Sequence, residues 1–148
     1  MKQLNRWRTG LLLVGIVLSV SGCAGWGMSQ KPSLYERLGG KPAITAVVDD
    51  FVANVAADNR INGQFASTNL ARLKEKLVEQ ICAGTGGPCT YTGRDMKTVH
   101  TGRYITEAQF DALVGDLVKT LDKLKVPAKE KNELLGILGP MKGDIVNR

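Results

Sequence analysis

Apolar residues recur at intervals of three and four along most of the chain after residue 33, and this interval is the period of an amphipathic helix. One such series lies between residues 44 and 55, a second between 70 and 81, and a third between 110 and 124. A fourth follows Pro127 and continues to Ile145. No segment shows the alternation of a half-exposed β-strand. The pattern predicts an all-α domain with about four substantial helices and two short ones.

Local signals place the ends of these helices. Ser33 and Glu36 have the spacing of a capping box, in which each side chain satisfies a free backbone amide, and Thr106 and Gln109 repeat it. The glycines at 39 and 40 end the first helix within two turns. Pro42 is expected at the start of the next helix, where its missing amide has no cost. Residues 89–104 contain few apolar positions, so only a turn or two of helix is expected there.

The first 22 residues have the three-part pattern of an export signal. Lys2, Arg6 and Arg8 precede an unbroken apolar run at residues 11–20, which ends in two small residues. A permanent transmembrane helix is the less favoured alternative, because spanning a bilayer takes roughly 20 apolar residues. We therefore expect residues 1–22 to be a cleaved leader.

Cys23 ends a Val-Ser-Gly-Cys sequence that resembles a bacterial lipobox, in which the cysteine is lipidated and becomes the new N-terminus. The alternative is an ordinary signal peptide with an incidental cysteine. Residue 24 is alanine, not the aspartate that favours inner-membrane retention, so the outer membrane, facing the periplasm, is preferred. Residues 23–32 are rich in Gly, Ser, Gln and Pro and are expected to form a lipid-anchored tether before a domain at 33–148.

The charge and the cysteines narrow the classes of protein to which the chain could belong. The formal net charge is +6, and three of the basic residues lie in the leader. The basic residues that remain do not form a block, so nucleic-acid binding is not indicated. Cys82 and Cys89 flank a loop that contains three glycines. Because disulfides persist in exported proteins, the two either form a disulfide or remain as unpaired thiols.

His100 is the candidate for the protein's chemistry. It is the one histidine in the sequence, and no set of Cys, His, Asp and Glu has zinc-ligand spacing. A lone imidazole is by itself weak evidence, since many histidines are surface or core residues. A single imidazole can nevertheless hold a haem iron from one side.

The order of several short segments resembles the truncated haemoglobins of group I. These segments are 33–40, Gly86-Gly87-Pro88, 91–94, Met96 to His100, and 101–106 with Phe110 after them. The resemblance implies a two-over-two helical sandwich, in which the second and third helices cover the distal side of one haem b. It also implies that His100 ligates the iron and that glycine pairs at 39–40 and 86–87 shorten the fold.

The resemblance further implies an apolar slot for the porphyrin. The candidates are Phe51, Phe65, Leu73, Leu77, Met96, Val118 and Ile137, each of which is otherwise a plain core residue. Lys74 and Arg103 are candidate partners of the propionates, with a solvated surface position as the alternative for both.

The distal positions depart from the family pattern. Oxygen-binding members usually carry a tyrosine one residue after the phenylalanine of the second helix, and here that residue is Val52. The companion positions, where a polar residue is common, fall on Leu73 and Leu77. Gln80 lies one turn further along and is expected at the rim or surface. We expect an apolar pocket that favours O₂ weakly and binds CO and NO comparatively well.

Several functions remain open at this point. A gas-binding globin, with O₂, NO or CO as ligand, is the first interpretation, and NO detoxification or gas sensing is compatible with it. Catalytic oxidation of NO would need an external electron donor, because no flavin or nicotinamide site is seen. A peroxidase-like enzyme would lack the usual distal histidine. The alternative from another class is a haem-free helical envelope lipoprotein that acts as an adaptor.

Overall fold

The computed structural model describes residues 31–148, which form one compact unit. The elements of its first half are α1, Leu34–Arg37; α2, Gly40–Ala57; a 3-10 turn, Asn62–Phe65; and α3, Leu70–Gly84. Those of its second half are α4, Met96–His100; α5, Glu107–Lys123; α6, Ala128–Leu138; a 3-10 turn, Gly139–Met141; and α7, Lys142–Ile145. No strand occurs within residues 31–148 apart from a single bridge between Ile105 and Val146.

Helix α2 lies at the centre of the packing. It contacts α3 on one side and α5 on the other, while α1 packs against α6. The most deeply buried side chains come from these helices and are Ile44, Val48, Cys82, Thr120, Leu121 and Leu134. The predicted all-α fold is therefore confirmed, with the apolar faces of the long helices forming one core.

The predicted capping boxes are both present. Ser33 accepts a hydrogen bond from the backbone amide of Glu36, whose carboxylate accepts one from the Ser33 amide. Thr106 and Gln109 repeat the arrangement at the start of α5. Gly39 has a φ of 96° between α1 and α2, a left-handed conformation that glycine adopts without steric cost.

The end of the chain differs from the prediction. The apolar series after Pro127 was expected to form one helix through Ile145, but α6 ends at Leu138. Pro140 follows, and it has no amide to continue the helical hydrogen bonds, so the chain tightens into a 3-10 turn before α7. Pro42 is the third residue of α2, still within the first turn.

The predicted leader and the lipidation site lie outside the described residues. This applies to residues 1–22, to Cys23 and to the tether as far as residue 30. Among the described helices, none has both the length and the apolar character to cross a membrane. The structure therefore describes the predicted globin domain by itself.

Candidate haem site

His100 is the last residue of α4, the short helix that the sequence predicted in this segment. Asp95 caps this helix by accepting a hydrogen bond from the Thr98 amide. Hydrogen bonding to the Thr98 side chain, and then to that amide, lowers the pKa of the Asp95 carboxyl. The imidazole is half-buried, and its Nδ1 lies 2.8 Å from the backbone oxygen of Met96. Nδ1 is therefore the protonated nitrogen, and it fixes the ring so that Nε2 is free to donate to a metal.

The predicted slot residues divide into two groups. Phe51 is 9% exposed and lies in the core. The others are half-buried apolar side chains, and they are Phe65, Leu73, Leu77, Met96, Val118 and Ile137. Half-buried apolar groups on several different helices are the kind of surface that a flat apolar cofactor covers.

The three predicted distal positions are apolar in the structure as in the sequence. Val52 is 3% exposed and belongs to the core of α2. Leu73 and Leu77 lie one turn apart on α3 and pack partly against that core. None of the three side chains has a hydrogen-bond donor to offer a ligand.

Gln80, which we expected at the rim or the surface, is half-buried, and this is compatible with a position at the rim. Its amide nitrogen lies 3.2 Å from the sulfur of Met141 and 3.7 Å from the sulfur of Met96. These contacts join α3 to the helix of His100 and to the C-terminal 3-10 turn. Thioether sulfur is a weak acceptor, so the amide is only weakly engaged there.

The segment between α3 and α4 is fixed to α3 by a carboxylate. Glu79 accepts hydrogen bonds from the amide of Thr92 at 3.0 Å and from its hydroxyl at 2.8 Å, and it pairs with Lys76 at 2.9 Å. These bonds, chiefly that from the Thr92 amide, lower the pKa of Glu79 to about 2. The sequence does not predict these bonds, because opposite charges three residues apart on a helix usually indicate only a local ion pair.

A disulfide joins Cys82 and Cys89 in the structure, which is the first of the two alternatives left open by the sequence. Cys82 is fully buried in α3, and Cys89 lies in the segment that leads to α4. The disulfide at Cys89 and the bonds of Glu79 to Thr92 thus restrain the same segment. Both residues lie within the seven residues before the start of α4. This restraint matters because α4 has no buried residue of its own.

The two predicted propionate partners are placed differently. Lys74 pairs with Asp49 of α2 at 2.8 Å, so its charge is already engaged there. The Arg103 guanidinium contacts the backbone oxygens of Val99 at 3.2 Å and Gln64 at 3.4 Å. It has no carboxylate partner within residues 31–148 and remains available to an anionic group.

The donor set fits a haem and does not fit a protein-only metal site. No group of three or more His, Cys, Asp or Glu side chains converges within the described part of the chain. One oriented imidazole, apolar surfaces from several helices and an arginine are what a porphyrin with two propionates requires.

Comparison with known proteins agrees with this fit. The profile of the family described as bacterial-like globin matches residues 33–147. A group 1 truncated hemoglobin of Mycolicibacterium paratuberculosis is 41% identical over 117 residues, which are 79% of this chain and 86% of that protein. A similarly described protein of Nostoc commune is 32% identical over 116 residues, covering 78% of this chain and 98% of its own length.

A solved structure extends the comparison to the fold. The Fe(III) form of the truncated hemoglobin of Tetrahymena pyriformis has a TM-score of 0.76 and 29% identity, covering 79% of this chain and all of its own. That whole chain corresponds to the domain described here, which forms one compact unit.

Fold, site and comparisons together define a two-over-two globin. The chain belongs to the bacterial-like globin family, and within it to the truncated hemoglobins of group 1. Its cofactor is haem b, one per chain, and the family binds diatomic gases.

Proposed function

We propose that this protein binds a diatomic gas at ferrous haem that His100 holds, on a distal face that offers no hydrogen-bond donor. The observation that supports this is the His100 ring, whose Nδ1 is fixed 2.8 Å from the Met96 oxygen while Nε2 has no partner within residues 31–148. Reversible binding of a small neutral gas is the chemistry that ferrous haem supplies when bound.

The chain's own residues set the environment of that ligand. Leu73 and Leu77 would exclude water from the distal side, and buried Val52 would close it from α2. A ligand that gains negative charge on binding, as O₂ does, commonly gains about 1.5–3 kcal/mol from a donor at such a position. Because these residues supply none, the pocket favours O₂ weakly and the less polarised CO and NO comparatively well.

Oxidation of NO to nitrate is the less favoured form of this function. It would need a long-lived O₂ complex, which the apolar distal residues oppose, and an external electron donor. The alternative of a haem-free adaptor is not favoured, because an adaptor would not require an imidazole oriented by a backbone oxygen.

The test uses the domain of residues 31–148, loaded with haem. Because the chain has one histidine, any imidazole signal at the iron of this domain must come from His100. We expect a Soret band in the ferric, ferrous and CO-bound forms that His100→Gly shifts or abolishes. Added imidazole should restore the original spectrum, which distinguishes loss of a ligand from loss of the fold.

Two results would count against the proposal. An unchanged CO spectrum in His100→Gly would show that another group holds the iron. A folded domain that takes up no stoichiometric haem would favour the adaptor. Gln80→Leu is a matched control, because it alters a half-buried residue near Met96 without removing an imidazole.

We further propose that the mature protein is exported and lipid-anchored through Cys23 to a bacterial membrane, the outer membrane with the globin facing the periplasm. The sequence Val-Ser-Gly-Cys after an apolar run supports this location. Mass analysis of the full chain expressed in a Gram-negative host should show a lipidated N-terminal Cys23. Cys23→Ala should remain unlipidated, and an unmodified cysteine in the wild-type chain would contradict the anchor.

A further inference from the structure

The first described residues lie against the start of α6. The Arg37 guanidinium donates a hydrogen bond to the backbone oxygen of Pro32 at 2.9 Å. The same guanidinium pairs with Glu130, in the first turn of α6, at 3.0 Å and also contacts Glu133. The point at which the chain enters the domain is therefore fixed beside the turn that joins α5 to α6.

That turn carries a concentration of positive charge, which we name the basic corner. It consists of Lys119, Lys123, Lys125, Lys129 and Lys131. Residues 119–131 hold these five lysines and two acids, Asp122 and Glu130, a net charge of +3. Lys123 pairs with Asp50 of α2 and Lys131 with Asp122, whereas the other three lysines have no carboxylate within 4 Å in residues 31–148. Residues 31–148 hold 17 basic and 14 acidic side chains, also a net +3, so the rest of the domain is balanced.

Lysine at residue 125 is not explained by the turn itself. The Lys125 amide donates a hydrogen bond to the backbone oxygen of Asp122, and the Val126 amide donates one to the backbone oxygen of Leu121. These two bonds form the Schellman motif that ends α5. Lys125 has a φ of 56° in this turn, a left-handed conformation that glycine adopts without the steric cost a lysine bears. The fold alone would favour glycine there.

An apolar cavity of about 230 Å³ lies beside the basic corner. Its lining includes Ala43, Ala46, Val47, Leu124, Val126 and Leu134. Leu124 is 40% exposed, although it lies between Lys123 and Lys125. An exposed leucine beside an apolar opening and between two lysines combines the two kinds of side chain found in segments that bind lipid surfaces.

We infer that the basic corner and Leu124 dock the globin domain onto an anionic lipid bilayer. This inference rests on the proposed lipid anchor, since nine residues between Cys23 and Ser33 span at most about 30 Å when extended. The segment that ends at Pro32 would hold the basic corner near the membrane surface. Anionic headgroups complement its charge, and the acyl region accepts Leu124.

The test measures binding of the haem-loaded domain, residues 31–148, to sedimented vesicles. Vesicles of phosphatidylcholine with one third phosphatidylglycerol are compared with pure phosphatidylcholine. We expect binding to the anionic vesicles, weak binding to the neutral ones, and weakening by added salt. Each lysine near the surface contributes about a fivefold factor to such binding.

The decisive variant combines Lys119→Gln, Lys125→Gly and Lys129→Gln. None of these lysines has a carboxylate within 4 Å in residues 31–148, and the glycine should relieve the strained turn. Binding should fall at least about tenfold, while the urea midpoint is retained. The matched control, Arg72→Gln, Arg94→Gln and Lys97→Gln, removes the same charge elsewhere and should bind nearly as well as the wild type.

Three outcomes would overturn the inference: no binding to anionic vesicles, equal binding to neutral ones, or an equal loss in the control. The last would show that binding depends on the net charge of the domain and not on the basic corner. A failure of this inference can be distinguished from a failure of the proposed lipid anchor or of the proposed gas binding. Vesicle binding by a domain that lacks Cys23 does not depend on lipidation, and the CO spectrum is read independently.

Discussion

Asp58, at the end of α2, and Asp116, in α5, lie close enough for each carboxyl to shift the pKa of the other. Arg60 pairs with Asp58 at 2.6 Å and is the main cause that lowers the pKa of Asp58 to about 2. Burial, and then the charge of Asp58, raise the pKa of Asp116. One oxygen of Asp116 is buried without a hydrogen-bond partner within residues 31–148.

Replacing Asp116 with asparagine should stabilise the domain at neutral pH. The amide keeps the shape, removes the buried charge and can donate to Asp58, so we expect about 1 kcal/mol at pH 7 from urea denaturation. A carboxyl with a raised pKa in the folded state loses stability as pH rises through that pKa. The advantage of Asp116→Asn should therefore shrink as the pH falls through that raised pKa and be smallest below about pH 4, the ordinary pKa of an aspartate.

The control for this substitution is Asp111→Asn, which removes the same charge from an exposed position of α5. It should change stability by less than about 0.5 kcal/mol at either pH. If Asp111→Asn stabilised as much as Asp116→Asn, net charge rather than the buried pair would be responsible.

A hydrogen-bond donor placed on the distal face should slow the release of O₂. Leu77→Gln adds an amide at a half-buried position without much change in volume. The O₂ dissociation rate, measured by stopped flow, should fall about tenfold or more, because a charge-assisted bond contributes about 1.5–3 kcal/mol. Leu77→Met, which adds no donor, should leave the rate near that of the wild type, and equal slowing by both would disprove the donor explanation.

A methyl group at residue 87 should be tolerated poorly. In the Gly87→Ala variant the added Cβ would lie 2.5 Å from the Tyr35 ring, 2.7 Å from the Cys82 sulfur and 2.8 Å from the Cys82 backbone oxygen. We expect a loss of about 1–3 kcal/mol. Gly115→Ala, with nothing within 4 Å in the middle of α5, should instead gain about 0.5–1 kcal/mol. A stable Gly87→Ala protein would mean that this loop is less closely packed.

Removing the disulfide should destabilise the domain. For a loop of this length the expected loss is about 2–3 kcal/mol, measured by urea denaturation of Cys82→Ala combined with Cys89→Ala. Transfer of haem to apomyoglobin should also be faster, because the segment before α4 loses a restraint. Dithiothreitol should destabilise the wild type but not the double variant, and insensitivity of the wild type would show that the bond contributes little.

The sequence predicted features that depend on neighbouring residues. The two capping boxes and the short helix that ends at His100 are local patterns, and the structure contains each of them. The order of short motifs also predicted the family, since spacing along the chain is preserved in the fold.

Features that depend on tertiary contacts were not predictable in this way. The tie between Glu79 and Thr92 spans 13 residues, and the contact of Gln80 with Met141 spans 61. A rim or surface position of Gln80 could be expected from the sequence, but its contacts with two methionines of other elements could not. The apolar periodicity also continues past Pro140, but the helix does not, because proline has no amide for the next helical hydrogen bond.

The helix that presents His100 is five residues long and contributes none of its side chains to the buried core. Most of the folding free energy therefore comes from the other helices, and substitutions in residues 90–105 have little direct effect on the core. Substitutions there can change how the imidazole is held without first being offset by stabilising changes elsewhere. In this respect the short helix is an adaptable part of the protein, and the long helices are its rigid framework.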